Sequence, residues 1–575
     1  MSGPSDRADL SGGSGRGFPA RWWALVLFVV WMGPVLGGAA VLRLADLGNR
    51  PMHCDEAVHA IKFGKLLERD DYVYDPREYH GPSLNFLTLP IARLASAEKL
   101  TEVTERHLRL LPAVFGIALV GLVWLVRDEL GLAATIAAAL LTAVSPAMVF
   151  YSRYYIQEML LVCLTFGVIV ALWRSVGGAQ SGDEEAGAGG RRWIRQGFWL
   201  VVAGLSIGLM HATKETCVIA LAAMVPAALV SMRALRRMGA GRLLLSGAVV
   251  ALTAAGISAL LFSSFLDNPR GVIDSITTYF HYLGRASGEG SVGRHVYPWD
   301  YYFRVLFWWH RPGGPVWSEA SIAALALAGL VAGALGKGLH PARLAMVRFL
   351  GVYTVLMTVV YCVLPYKTPW CALGFFHGMI LLAGVGATVL VRAAPGYVLK
   401  GMTIALLAAA VGHLAWQAHR ASFVAYEDPH NPYVYAHTTD DVPLMARRVG
   451  EVAAWHPDGE AVHLQVVCTD DDYWPLPWYL RGFGRVGWFS GMPDGRAAPV
   501  IITQPEMEPE LLRYLYEEQP PGERYLYVPG PSAGEEGAAG KGRDWQLRPH
   551  VPLRVYVRLD LWEAYQAGRA DGPSS

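Results

Sequence analysis

The chain has 575 residues, 53% hydrophobic and 17% charged, with 49 Lys+Arg against 48 Asp+Glu, and a mean hydropathy of +0.29. Soluble domains carry about a quarter charged residues, so the roughly four soluble domains this length would allow are excluded in favour of a polytopic membrane protein with a soluble tail. A net charge of +1 leaves no basic field for nucleic acid, and six cysteines without CxxC spacing mark neither a metal knuckle nor a disulfide framework.

In chain order, residues 1–21 are Gly/Ser-rich and polar and predict a disordered cytoplasmic tail. A spanning helix needs about 20 mainly apolar residues. The first such run is 22–42, too long for the apolar region of a cleaved signal peptide, the competing reading. Further spans are predicted at 107–126, 132–149, 157–173, 197–212, 215–231, 243–265, 319–336, 347–364, 371–391 and 398–416, eleven in all. The stretch 83–97 is apolar but short and predicts an interfacial or re-entrant helix. Residues 56–68 have roughly helical apolar spacing and predict a helix along the membrane surface. The loop 175–190 is a low-complexity linker, and no internal repeat is evident.

Placing the N-terminus inside puts Arg127, Arg174, Arg191, Arg192, Arg195, Arg233, Arg236, Arg237, Arg242, Lys337, Arg343, Arg348, Arg392 and Lys400 on one side, as the positive-inside bias requires. The other side receives 43–106, 150–156, 212–214, 266–318, 365–370 and everything after 417. The chain is thus expected to be a mainly α, multi-pass protein of the cell (inner) membrane: a transmembrane domain over 22–420 and an extracytoplasmic soluble domain over 421–575. In that tail 462–467, 499–503, 524–528 and 554–561 read as strands, and 441–455 and 506–517 as helices, which predicts a small α/β domain.

Ionisable residues at membrane depth are expensive and by default mark function. The polar motifs here all fall at the outer ends of predicted spans. His53-Cys54-Asp55-Glu56-Ala57-Val58-His59 carries adjacent acids that face different ways; the bland alternative is a helix cap. Tyr79-His80-Gly81-Pro82 is turn chemistry. In Tyr151-Ser152-Arg153-Tyr154-Tyr155-Ile156-Gln157-Glu158, Arg153 sits at the membrane edge, where it could snorkel, and Glu158 opens span four. His211-Ala212-Thr213-Lys214-Glu215-Thr216 is a very short connection with an outer-face lysine that a Lys214–Glu215 pair would neutralise. Leu364-Pro365-Tyr366-Lys367-Thr368-Pro369-Trp370 is a tight turn with one cation. The loop 266–318 is rich in Tyr and Trp, as an interfacial belt or a lid would be. In the tail, Asp470-Asp471-Asp472 reads as a cap on an exposed loop, with cation binding as the alternative. Cations from three span ends and acids from two segments suit an anionic lipid phosphate and an activated hydroxyl.

These residues resemble the GT-C membrane glycosyltransferases. The likeness lies in the Asp-Glu pair of the first outer loop, the Ser-Arg-x-x-x-x-acid motif before span four, the Thr-Lys pair and the late Pro-x-Lys turn. Within that class the pattern is similar to glycosyltransferase family 39, which includes protein O-mannosyltransferases and lipid A aminoarabinose transferases. The strings MHCDEAVHA, YHGPSLNFLT, YSRYYIQEMLL, GLMHATKET, LPYKTPW and NPYVYAHT look still more like an uncharacterised flippase-activity-associated subgroup of archaea and bacteria.

The resemblance implies a GT-C fold of about 11 transmembrane helices and a transferase that moves a sugar from a polyprenyl-phosphate donor to an acceptor hydroxyl on the outer face, with inversion. Carried over, Asp55 becomes the base, and Glu56 orients it or helps bind a metal. Glu158 is a second acid that contributes to a metal site in some relatives. Arg153, Lys214 and Lys367 hold the lipid phosphate. His53 and His59 flank the acid pair and could support a divalent metal; metal dependence varies across the class, so a metal stays open and no other cofactor is implied. His80, His211, Glu215 and Tyr366 complete the candidates. The partners implied are the donor and membrane lipids. The acceptor, whether glycan, lipid or protein, stays open, and the lack of a MIR-type insertion weakens the case for protein. The competing functions are a flippase or flippase accessory for lipid-linked sugars, which needs a polar path that the apolar inner span halves do not offer, and a non-catalytic scaffold.

Overall fold

The computed structural model describes residues 20–68, 72–77, 80–177, 188–232, 239–286, 295–533 and 543–570. The expected tail up to residue 19, linker residues 178–187, Tyr79, Arg233, Arg236 and Arg237 lie outside the described residues.

Eight described helices are long and apolar enough to cross a membrane, nine if the bent pair Leu132–Val144 and Pro146–Ser152 counts as one span; Cys217–Ser231 and Ala320–Leu335 are apolar but shorter. Together they occupy all eleven positions read from hydropathy. The stretch 132–149 is not one straight helix, because it bends by 56° at Ser145. Pro146 cannot donate into the helical ladder. The Arg43 guanidinium takes up the freed polar groups, donating to the Thr142 and Ala143 carbonyls at 2.9 Å each and to Ser152 Oγ at 3.1 Å.

Small residues set the tightest helix packing. A Cβ on Gly329 would stand 2.1 Å from the Leu382 carbonyl oxygen, and one on Gly386 would stand 1.9 Å from that of Leu325. Helices Ala320–Leu335 and Leu373–Ala393 therefore approach backbone to backbone, the small-residue mode that serves where lipid offers no hydrophobic contrast. At the arginine-rich end, Arg174 donates to the Leu125 carbonyl, and Arg242 donates to Gln196 at 2.6 Å.

The opposite end carries the longer loops. Cys54–Leu67 and Ser83–Leu94 are helices, and the aromatic loop contains Gly271–Ala286 and Tyr301–Phe307. The C-terminal domain is a six-stranded sheet built from β1 (Leu464–Val467), β2 (Val486–Phe489), β3 (Val500–Thr503), β4 (Tyr527–Pro529), β5 (Trp545–Arg548) and β6 (Val551–Arg558). The order is β2-β1-β3-β6-β4, with β5 on β6. β1 pairs in parallel with β2 and β3, whereas β6 runs antiparallel to β3, β4 and β5. β1 and β3 are buried at every residue, as expected of strands covered on both faces. The expected strand 554–561 ends at Arg558, where the helix Leu559–Ala570 begins.

This domain is seated on the helical region. Trp478 is fully buried among Met52, Ala57, Phe63 and Leu84. Its Nε1 donates to Glu105 at 2.8 Å, and the Arg481 guanidinium lies 3.7 Å over its ring while donating to the Val103 carbonyl at 3.0 Å. The Met52 backbone is held from both sides, its N–H by the Tyr479 hydroxyl and its carbonyl by Thr438 Oγ1, each at 2.7 Å.

Candidate active site

The first loop sorts its two acids by the geometry of a helix start. His53 caps the helix Cys54–Leu67: the Asp55 N–H donates to His53 Nδ1 at 3.1 Å, and the His53 N–H donates to Glu56 Oε2 at 3.0 Å, a reciprocal capping arrangement. Asp55 then points outward with its side chain 43% exposed. Glu56 points inward at 0%. It accepts from Arg109 Nε and Nη2 at 2.8 Å each, from Arg50 at 3.0 Å and from the Tyr155 N–H at 2.9 Å. Burial alone would raise its carboxyl, but the Arg109 and Arg50 guanidiniums override burial and hold it at about 2. Arg50 also stacks 3.8 Å over the Tyr154 ring.

A cavity of about 360 Å³ lies between this helix, the helical bundle and the C-terminal domain. Asp55, His59 and His80 line it from the first loop, Gln157, Glu158 and Lys214 from the bundle side, and Tyr282 from the aromatic loop. Tyr366, Thr368 and Trp370 come from the late turn, and Asp471, Asp472, Trp474 and Arg548 from the C-terminal domain. Of the sequence candidates, Asp55, His59, His80, Glu158, Lys214 and Tyr366 meet here. Glu56, His53, Arg153, Lys367, His211 and Glu215 do not line it.

Each displaced candidate has a structural partner. Arg153 caps the end of the helix Ala20–Leu44, donating to the carbonyls of Ala45 at 2.6 Å and Asp46 at 3.0 Å and, more loosely, to Leu42 and Arg43. Lys367 donates to the Leu364 carbonyl and, at 3.1 Å, to that of Tyr297, and burial lowers its pKa. Both therefore spend their donors on backbone, and neither is placed to grip a phosphate in the cavity. His211 bonds Ser258 at 2.6 Å and stacks on Tyr279.

Lys214 does not neutralise its neighbour Glu215. It reaches Glu158 instead; burial would lower the ammonium's pKa, but the Glu158 carboxylate reverses this and raises it. Glu215 turns to His80, Oε2 to Nδ1 at 2.9 Å; burial would raise its carboxyl, but the imidazole brings it below the usual range. His59 meets Gln157 at 3.4 Å, and burial holds its pKa well below the usual value, with His80, Lys62 and Lys214 adding to the effect.

The ligand atoms of His53, Cys54 and Asp55 lie within 4.8 Å of one another, but the donor set does not fit a divalent ion. His53 Nε2 stands 2.9 Å from the Tyr435 carbonyl oxygen, so it carries the proton, and its Nδ1 lone pair is already spent on the Asp55 N–H. Burial also pushes the Cys54 thiol well up, away from the thiolate that binds metal.

Sequence reading missed Arg50 and Arg109 as partners of Glu56, and it missed Arg548. Arg548 pairs with Asp472 and donates to the Trp474 carbonyl at 3.2 Å. Asp472 is therefore a cavity residue bound to arginine rather than part of a loop-exposed cap, and no side-chain cap bond accompanies the start of the short turn Thr469–Asp471.

No protein-family model matches the chain, and no curated protein does. Solved structures do match. ArnT from Cupriavidus metallidurans bound to undecaprenyl phosphate aligns with a TM-score of 0.59 at 14% identity, over 93% of this chain and 99% of that one. The Archaeoglobus fulgidus oligosaccharyltransferase tethered with an acceptor peptide aligns at 0.56 and 13% identity, over 85% and 70%. The oligosaccharyltransferase AglB from the same organism, in complex with an inhibitory peptide and a dolichol-phosphate, aligns at 0.54 and 13%, over 95% and 77%. The likeness, at 13–14% identity, is one of fold: this chain adopts the fold of these three structures.

Proposed function

We propose that the chain is a membrane glycosyltransferase that moves a sugar from a polyprenyl-phosphate donor to an acceptor hydroxyl, on the outer face of the cell membrane. The observation that carries this reading is the single cavity that brings together Asp55, Glu158, Lys214 and Arg548 from segments remote in sequence. Its support from relatives is the fold shared with ArnT, whose structure holds undecaprenyl phosphate.

In the reaction, the acceptor oxygen attacks the anomeric carbon, and the bond from that carbon to the phosphate oxygen breaks. The electron pair leaves on the polyprenyl phosphate, and the hydroxyl proton passes to the Asp55 carboxylate, which is exposed to the cavity and can act as general base. Direct displacement inverts the anomeric centre. Lys214, kept charged by Glu158, faces the departing phosphate and stabilises its growing charge. Glu56 acts through structure: pinned by Arg50 and Arg109, it fixes the turn from which Asp55 projects. No step runs through a metal.

The test is transfer from a radiolabelled panel of polyprenyl-phosphate sugars by membranes that express the chain. Label is expected in a lipid, glycan or protein fraction with at least one donor. No transfer with any donor, together with movement of a lipid-linked sugar across the bilayer, would replace this reading with the flippase.

A further inference from the structure

Two motifs, of which the mechanism uses Lys214 alone, fold onto each other. The His80-Gly81-Pro82 turn is docked on the 211–216 connection by two backbone bonds, Gly81 N–H to the Thr213 carbonyl at 3.2 Å and Ser83 N–H to that of Ala212 at 2.9 Å. Ser83 Oγ adds a bond to Thr213 Oγ1 at 2.7 Å. The approach is so close that a Cβ on Gly81 would stand 2.2 Å from the Ala212 oxygen. His80 itself sits at φ 56°, in the left-handed region that few residues other than glycine adopt and in which histidine is among the better tolerated.

The result of this docking is a carboxylate–imidazole couple on the cavity wall. Glu215, 7% exposed at its side chain, lies behind His80 and does not line the cavity, whereas His80 does. His80 Nδ1 faces the Glu215 carboxylate at 2.9 Å, with the Tyr282 hydroxyl 3.1 Å from the same nitrogen. A carboxylate fixes the proton on Nδ1, which leaves the Nε2 lone pair to accept a bond. What such an atom takes in a cavity also walled by Tyr366, Trp370 and Trp474 is a hydroxyl or amine on a compact ring with one apolar face, which is a sugar.

We infer that the His80–Glu215 couple is the subsite that recognises a ring hydroxyl or amino group of the transferred sugar. It rests on the donor reading above. Lys214 and His80 line the same cavity, so a phosphate at Lys214 leaves the attached sugar in the space onto which His80 opens. His80 is thereby a specificity-determining residue, and Glu215 a positioning residue that acts through it.

The test compares bare undecaprenyl phosphate, on the purified full chain, with a panel of undecaprenyl-phosphate sugars carrying mannose, glucose, galactose or aminoarabinose. His80→Asn suits the left-handed backbone, since asparagine tolerates positive φ, but it removes Nε2. Glu215→Gln keeps the shape but releases the tautomer. Wild type is expected to bind one sugar-bearing lipid more tightly than the bare lipid. His80→Asn should cut that preference by roughly tenfold, the worth of one good hydrogen bond, and Glu215→Gln should cut it by a smaller factor. Bare-lipid affinity, which also reports correct folding, should stay within about twofold in both. A sugar preference unchanged in both variants would overturn the inference while leaving the donor reading intact, and so would bare-lipid affinity falling in step with it. A wild type with no preference for any sugar-bearing lipid would overturn the donor reading and the inference together.

Discussion

Glu56 gives the sharpest prediction about what holds the site. Its carboxylate is fully buried between Arg109 and Arg50, and its pKa is held at about 2 against an ordinary 4.5. At about 1.4 kcal/mol per unit, that depression corresponds to about 3 kcal/mol of stability at neutral pH. An independent route gives a similar size: removing one partner of a buried ion pair typically costs about 3–5 kcal/mol, and Glu56→Gln would leave two buried guanidiniums without a counter-ion. Because the folded pKa is lowered, the contribution is complete above pH 4.5 and is lost as pH falls from 4.5 toward 2. Thermal unfolding of the detergent-solubilised protein should therefore show a loss of about 3 kcal/mol for Glu56→Gln at pH 7, with the gap to wild type closing below pH 4.5. Glu56→Met combined with Arg109→Met should recover part of the loss. A Glu56→Gln variant within about 0.5 kcal/mol of wild type at pH 7 would refute the reasoning.

Three further outcomes follow from the partners described. Lys214→Met removes the bundle-side cation of the cavity and strands Glu158, so undecaprenyl phosphate binding should fall by at least tenfold in a direct binding assay. Arg153→Met removes donors from four carbonyls at a helix end but touches no cavity wall; melting temperature should drop while undecaprenyl phosphate affinity stays within about twofold. Trp478→Ala empties the fully buried contact between the C-terminal domain and the helical region, at a cost of about 3–5 kcal/mol, and limited proteolysis should then cleave between residues 425 and 480 faster than in wild type.

The positions of the apolar helices were legible because twenty-residue apolar runs and arginine-rich loops are local signals. The bend at Ser145-Pro146 was written in the proline but masked by unbroken hydropathy. β2 and β5 escaped because they are four residues long and carry Gly487 and Gln546 in place of a β-branched run. The roles of the polar motifs divided the same way. Motif spacing could single out Asp55, His80 and Lys214, but it could not say that Lys214 reaches past Glu215 to Glu158, or that Glu215 turns to His80. Arg50, Arg109 and Arg548 are single arginines whose partners lie in other segments or other motifs; no period encodes such pairings, and only the folded chain shows them. Arg153 looked like a phosphate ligand because an arginine at a span end and one capping a neighbouring helix have the same sequence.

The most direct test of the account is a single-turnover comparison of purified wild type and Asp55→Asn with a radiolabelled sugar-bearing undecaprenyl phosphate. Asp55→Asn should bind the donor within about twofold of wild type and transfer the sugar more slowly by a factor of about 10²–10⁴, the usual worth of a positioned general base. Equal transfer by the two proteins would remove Asp55 from the chemistry and contradict the mechanism.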